Sequence, residues 1–196
     1  MNESLLSNTT DNSTVSRETE VNSSYESQTS EETDLKNHII SSISLSLNDI
    51  INENKKTNSN SNYVNKDIFY LSFIPRISLE DYIRRLMKYS KMDISTLIIS
   101  IIYIDYFCDK NKYCLTPNNI FRIVLSACLL SLKFNEDITV NYKTYAEIAA
   151  VPVEDLRNLE FYMYLKLHFS LNVKYELYKS YYDYFANYKI PKNDKI

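Results

Sequence analysis

The chain contains no glycine among its 196 residues, where average usage of about 7% would supply roughly fourteen. Without glycine there is no strain-free source of positive φ, so tight primed hairpins and glycine-capped helices are both disfavoured. Phosphate-cradling glycine loops are excluded outright, and with them Walker-type and dinucleotide-binding fingerprints. Cysteine is scarce too. Cys108, Cys114 and Cys128 make an odd count without a C-x-x-C pair, and His38 and His168 lie far from them in sequence. A structural zinc site or a disulfide framework is not expected, and no cofactor or metal is implied. The start, "MNESLLSNTTDNSTV", has neither a basic stretch nor an apolar core, so no secretory signal is expected. The longest apolar run, "LIISIIYI" at 97–104, stops at Asp105 and is too short to span a bilayer. A cytoplasmic or nuclear protein is expected.

What is present divides the chain. Residues 1–34 hold 18 Ser, Thr or Asn, eight acids and one basic residue, Arg17. Such a segment buries too little apolar surface to offset its ordering entropy, so a disordered acidic tail is expected. Taking its net charge of −7 (eight acids, one arginine) from the chain's −3 leaves +4 on the other 162 residues. That near-neutral remainder carries no strong field for nucleic acid. In "LKNHIISSISLSLNDIINEN", 35–54, the apolar positions 39, 40, 43, 47, 50 and 51 fall mostly on one helical face. A polar linker follows at 55–68.

From Pro75 the helical period is continuous. "SLEDYIRRLMKYS" has Ser78 as N-cap and Asp81 in capping-box position. "DISTLIISIIYIDYFCDK" has Asp93 or Ser95 to cap it. "TPNNIFRIVLSACLLSLKF" places Thr116 at an N-cap and Pro117 at the first helical position. "NYKTYAEIAA", "VPVEDLRNLEFYMYLKLHFS" and the tyrosine-laden "YELYKSYYDYFANY" complete the set. No strand-period segment of useful length appears. The expected fold is all-α, with five to seven helices: an extra N-terminal amphipathic helix over 35–54, a domain over 69–188 with a five-helix core, and a short tail at 189–196. Residues 120–134 are apolar around almost the whole helix circumference, which predicts a central helix wrapped by the others.

One polar strip breaks that central helix. Arg122, Ser126, Leu129 and Lys133 lie within about 60° of one another at about 100° per residue. The strip reads as a side left uncovered by its own domain. Two readings of Lys133 stand open: it meets the helix dipole and pairs with Glu136 or Asp137, or it belongs to a docking margin where a leucine neighbours a charge. Glu160 borders an apolar face in the same way, and Arg157 is its local ion-pair candidate. The basic residues Arg76, Arg84, Arg85, Lys88 and Lys91 are offset by Glu80–Arg84 and Asp81–Arg85 in the favourable i,i+4 order. They read as a solvated face and not as a nucleic-acid groove.

The motifs "ISLEDYIRRLMKYS", "IIYIDYF", "NIFRIVLSACLLSLKFNED", "NYKTYAEIAA" and "DLRNLEFYMYLKLHFSL" resemble, in order and spacing, a cyclin box. The chain is most similar to the P/U-type cyclins, the phosphate-pathway class, over about 48–186. That resemblance implies a regulatory subunit that binds and activates a cyclin-dependent protein kinase, and not an enzyme. The family's helix-1 arginine matches Arg85, the lysine and acid of "KFxxD" match Lys133 and Asp137, and the glutamate of "LNxLE" matches Glu160. In cyclins that lysine and glutamate face the kinase's regulatory helix; Leu129 and the aromatic Phe134 would fill the contact. Three positions depart from the family pattern: Tyr106, Phe121 and the pair Ala149–Ala150 replace the usual arginine, histidine and glycines. The alanines are expected to extend their helix. The alternative function is a cyclin-box protein-binding or transcription-related module without kinase activation. Such modules usually carry two boxes and a basic face, neither of which is visible. With no glycine loop, no histidine beside a nucleophile and no ligand cluster, an enzyme is the weakest reading.

Overall fold

The computed structural model describes residues 12–57, 67–137 and 141–190, with side chains from residue 30 onward. Seven helices and no strand are found among the described residues: α1 (Asn12–Thr57), α2 (Leu79–Ser90), α3 (Ile94–Asn111), α4 (Ile120–Asn135), α5 (Tyr142–Ala149), α6 (Val153–Lys166) and α7 (Tyr175–Ala186). The stretch up to Asn37 separates from the rest, and its described side chains, 30–37, are all exposed. From His38 on, the chain is one packed unit. Helix α1 begins earlier and ends later than the expected 35–54, yet its buried face falls inside that window, at Ile39, Ile40, Ile43, Leu47 and Ile51. Ile50, expected inward, is 37% exposed. Residues 1–11 of the expected tail, 58–66 of the linker and 191–196 of the C-terminal tail lie outside the described residues.

Local chemistry explains three of the helix starts. Ser78 accepts a hydrogen bond from the Asp81 amide and caps α2. Asp93 caps α3, and Asn141 caps α5 by accepting from the Thr144 amide at 2.9 Å. The start of α4 differs from expectation. The residues after Thr116 form a turn, and the helix begins three residues after Pro117, at Ile120. Asn119 does not cap forward: its side chain turns back to the Thr116 amide (2.8 Å) and the Cys114 carbonyl (2.9 Å), closing the loop on itself.

Helix α4 is central. Twelve of its residues are buried, from Ile120 to Leu132, and it packs against α3, α6 and α2. Here the uncovered strip is corrected. Ser126 is fully buried and Leu129 is 2% exposed. The Ser126 hydroxyl donates to the Arg122 carbonyl at 2.7 Å. Arg122 itself is an internal tie, donating to the Ile68 carbonyl (2.7 Å) and to Asp155 at the start of α6 (3.1 Å). A helix wheel shows which residues share a side but not whether a neighbouring helix covers it.

The absence of glycine is met in an unexpected way. Lys91, Lys112 and Ala150 end α2, α3 and α5 in the left-handed region, with φ of 57°, 50° and 57°. Of the alanine pair, Ala149 is the last residue of α5 but Ala150 does not extend it: Ala150 takes the conformation a glycine usually supplies, and its amide returns to the Ala146 carbonyl. A residue with a Cβ pays about 1–2 kcal/mol for that conformation. Ala150→Gly is accordingly expected to stabilise the protein by about 1 kcal/mol in urea unfolding, once the glycine's greater unfolded-state entropy is subtracted. A destabilised variant would refute this account of the cap.

Candidate functional site

Three helices bring one polar cluster to the surface. The last turn of α4 delivers Lys133, the first residue of α5 delivers Tyr142, and α6 delivers Glu160. Lys133 Nζ lies 2.8 Å from Glu160 Oε1 and donates to the Tyr142 hydroxyl at 2.9 Å. The Tyr142 hydroxyl in turn donates to Glu160 Oε2. The ammonium also sits 4.4 Å from the centre of the Tyr142 ring, within cation–π range. Glu160 is thus a nearly buried carboxylate held by one cation and one phenol, while Lys133 keeps 39% of its side chain in solvent.

The electrostatics follow from that closure. Burial pulls the Lys133 ammonium toward lower pKa, but its hydrogen bonds to Glu160 and Tyr142 outweigh it, leaving the pKa above the usual lysine value. Burial and the hydrogen bond to Glu160 raise the Tyr142 phenol above its usual value. Both groups therefore stay protonated until the pH rises past their ordinary range near 10. An ammonium has three N–H donors. Two are engaged within the cluster, and one remains.

Lys133 sits in the last turn of α4, but the local ion pairs expected for it and for Glu160 are not the ones formed. Glu136 accepts from the Asp93 amide at 2.9 Å, and Arg157 pairs with Glu154 at 3.5 Å. The real partners, Lys133 and Glu160, come from different helices. Large apolar side chains next to these residues in sequence or on the same helix are exposed: Phe134 by 56%, Phe161 by 63% and Leu165 by 44%. Sequence reasoning missed Tyr142, Phe161 and Leu165. The last two carried a usable signal, since they are large apolar residues four apart on the side of α6 away from its inward positions.

The other named residues fall differently. Leu129 is buried beneath the cluster's helix and offers a partner no surface. Asp137 is exposed just past α4. Arg85 stands apart, reaching the Glu147 carbonyl at 3.5 Å, on the wall of a groove of about 580 Å³ shared with Phe73, Tyr82, Phe121 and Arg122. Cys108 and Cys128 are held as thiols, burial pushing each up to about 12. No group of three or more His, Cys, Asp and Glu able to hold a metal occurs among the described residues. None of the described helices is long and apolar enough to cross a membrane.

Comparison with known proteins agrees with this helical arrangement. The family model described as Cyclin matches residues 2–171, most of the chain. The chain belongs to the cyclin family. Its relatives include plant U-type and P-type cyclins. It is 27% identical over 115 residues to Cyclin-U2-1 of Arabidopsis thaliana, covering 58% of this chain and 52% of that protein. Identity to Cyclin-U3-1 of the same plant is 34% over 99 residues, or 50% and 45% of the two chains. Cyclin-P3-1 of Oryza sativa subsp. japonica is 25% identical over 133 residues, 68% of this cyclin and 54% of the rice protein. This cyclin spans about half the length of the curated relatives it matches.

Proposed function

We propose that this cyclin is a regulatory subunit that binds and activates a cyclin-dependent protein kinase through the surface centred on Lys133 and Glu160. The observation that carries the reading is the closed Lys133–Tyr142–Glu160 cluster, with the exposed Phe134 and Phe161 next to Lys133 and Glu160 in sequence. A charged pair held rigidly by its own fold, beside unpartnered aromatic side chains, is the composition of an interface hot spot. The free Lys133 donor meets acidic side chains or the C-terminal carbonyls of the kinase's regulatory helix, while Phe134, Phe161 and Leu165 fill the apolar contact. Glu160 acts mainly by holding Lys133, and Leu129 supports the surface from beneath. Docking there biases the kinase helix toward the position in which its catalytic Lys–Glu ion pair forms.

Two residues have separate parts in this reading. Asp137 approaches a basic pocket beside the kinase activation loop, where its carboxylate stands in for a phosphate. Asp137→Asn is expected to lower the activity of an unphosphorylated kinase several-fold while leaving binding intact; full activity would remove Asp137 from the mechanism. Arg85, on the groove wall, makes a contact distinct from the ion-pair surface. The proposal as a whole is tested by capturing the full chain from its own cells, identifying the bound proteins by mass spectrometry, and assaying the recovered kinase with and without added cyclin. A stoichiometric protein kinase whose activity rises is expected. Recovery of no kinase, or a kinase indifferent to the cyclin, overturns the reading.

A further inference from the structure

A second surface lies between α1, α3 and α7. A cleft of about 320 Å³ is walled by Leu47 and Ile50 from α1, Ile101 and Asp105 from α3, and Tyr181 and Tyr184 from α7. None of these belongs to the Lys133 cluster. Asp105 is the one charged residue of the lining, and its Oδ2 accepts from the Tyr181 hydroxyl at 2.6 Å. Among the described residues no lysine or arginine pairs with it. Lys110, five residues on in α3, donates instead to the Leu167 carbonyl at 3.4 Å.

That arrangement does more than tie α7 to α3. A neutral acceptor would hold the Tyr181 hydroxyl equally well, without the cost of keeping a charge partly out of water. Burial indeed pushes the Asp105 carboxyl above the usual carboxylate range, against the opposing pull of the Tyr181 hydrogen bond. A carboxylate accepts up to about four hydrogen bonds, so acceptor capacity is left open toward the cleft. The cleft rim is apolar and unpartnered: Ile50 turns outward from an otherwise inward-facing stripe, and the Tyr184 ring is 55% exposed. An aliphatic wall, tyrosine rings and one unpaired carboxylate are the complement of a cation on an apolar stem.

We propose that this cleft docks an arginine side chain of a partner protein, its guanidinium on Asp105 and its stem along Ile50 and Tyr184. Arginine fits better than lysine because its planar head stacks on a tyrosine while donating in the plane to the carboxylate. The volume is at the lower end of ligand pockets, about 300–1,000 Å³, and admits one long side chain and not a helix. The proposal does not depend on the kinase reading, because the two surfaces share no residue.

The full chain, labelled at its tyrosine rings, is titrated by NMR with the peptide acetyl-Leu-Arg-Leu-amide and with the same peptide carrying uncharged citrulline. The arginine peptide is expected to move the Tyr181 and Tyr184 signals and to bind at least tenfold more tightly than the citrulline peptide. Asp105→Asn, which keeps an acceptor for Tyr181, loses that preference. Tyr181→Phe retains it, because the carboxylate remains and gains a free oxygen. Tyr184→Ala, at an exposed position whose ring meets Phe185 and Tyr188, weakens binding several-fold. Equal affinity for the two peptides, unchanged preference in Asp105→Asn, or no movement of the two rings at millimolar peptide overturns the proposal.

Discussion

Replacing Lys133 and Glu160 together by alanine is expected to abolish kinase binding while leaving the far-ultraviolet circular dichroism unchanged. The two residues satisfy each other in the free protein, at 2.8 Å, so the single replacements are the less informative ones. Lys133→Ala strands a carboxylate with 10% exposure on the Tyr142 hydroxyl alone, and a loss of binding then mixes a docking effect with a folding effect. Removing both charges avoids the stranded partner. Truncating a hydrogen-bonded interfacial charge typically costs about 2–5 kcal/mol, which is about 30-fold to a few thousand-fold in Kd. The reversed pair, Lys133→Glu with Glu160→Lys, separates the two effects further. It can rebuild the internal ion pair but presents the wrong charge to the kinase, so stability should recover while binding stays lost. Titration calorimetry with the recovered kinase checks both variants. Wild-type affinity in either one would remove this surface from the mechanism.

Phe69→Ala is expected to be the most damaging single change to the fold, at about 3–5 kcal/mol. Phe69 lies outside every helix, between α1 and α2, yet is fully buried. Its ring meets Phe107 of α3 at 5.4 Å, Tyr113 at 6.1 Å and Tyr162 of α6 at 5.5 Å, all edge-on. Such contacts add about 0.5–1.5 kcal/mol per pair beyond area burial. The backbone around it is pinned as well: the Phe69 amide donates to Asp67, which also accepts from the Tyr113 hydroxyl at 2.8 Å. Alanine would leave a ring-sized void that helices held from three directions cannot close. At about 2–4 °C per kcal/mol for a protein of this size, the melting temperature should fall by roughly 6–20 °C. A drop of only a degree or two would mean that the segment is peripheral to the cooperative unit.

Much of the fold was legible because it rests on near neighbours. The apolar period locates α2 to α7, and a side chain within three residues of a helix start determines its cap, as at Ser78, Asp93 and Asn141. The same locality explains the misses. Thr116 and Pro117 form a good helix start, but Asn119 has a competing set of partners behind it and the helix waits until Ile120. Ala150 has no propensity for the left-handed region. It adopts that conformation because α5 must stop there for α6 to begin at Val153 and lie along α4.

The candidate site shows the same division. Lys133 and Glu160 stand out by themselves, as charges set into apolar helices, and the cyclin resemblance names both. Their bond to each other spans 27 positions, and α6 could reach α4 in many registers on local grounds. Packing of α6 against α4 selects one of them, which buries Ser126 and Leu129, brings Glu160 under the end of α4, and leaves Phe134 and Phe161 outside. The sequence by itself determined the all-α class, the helix order, the central place of α4 and the cyclin family, since periodicity, caps and motifs act over a few residues. Only the tertiary structure decided which charges pair, which strip is covered, and that Ile50 and Asp105 open onto one cleft. Those depend on how helices distant in sequence meet.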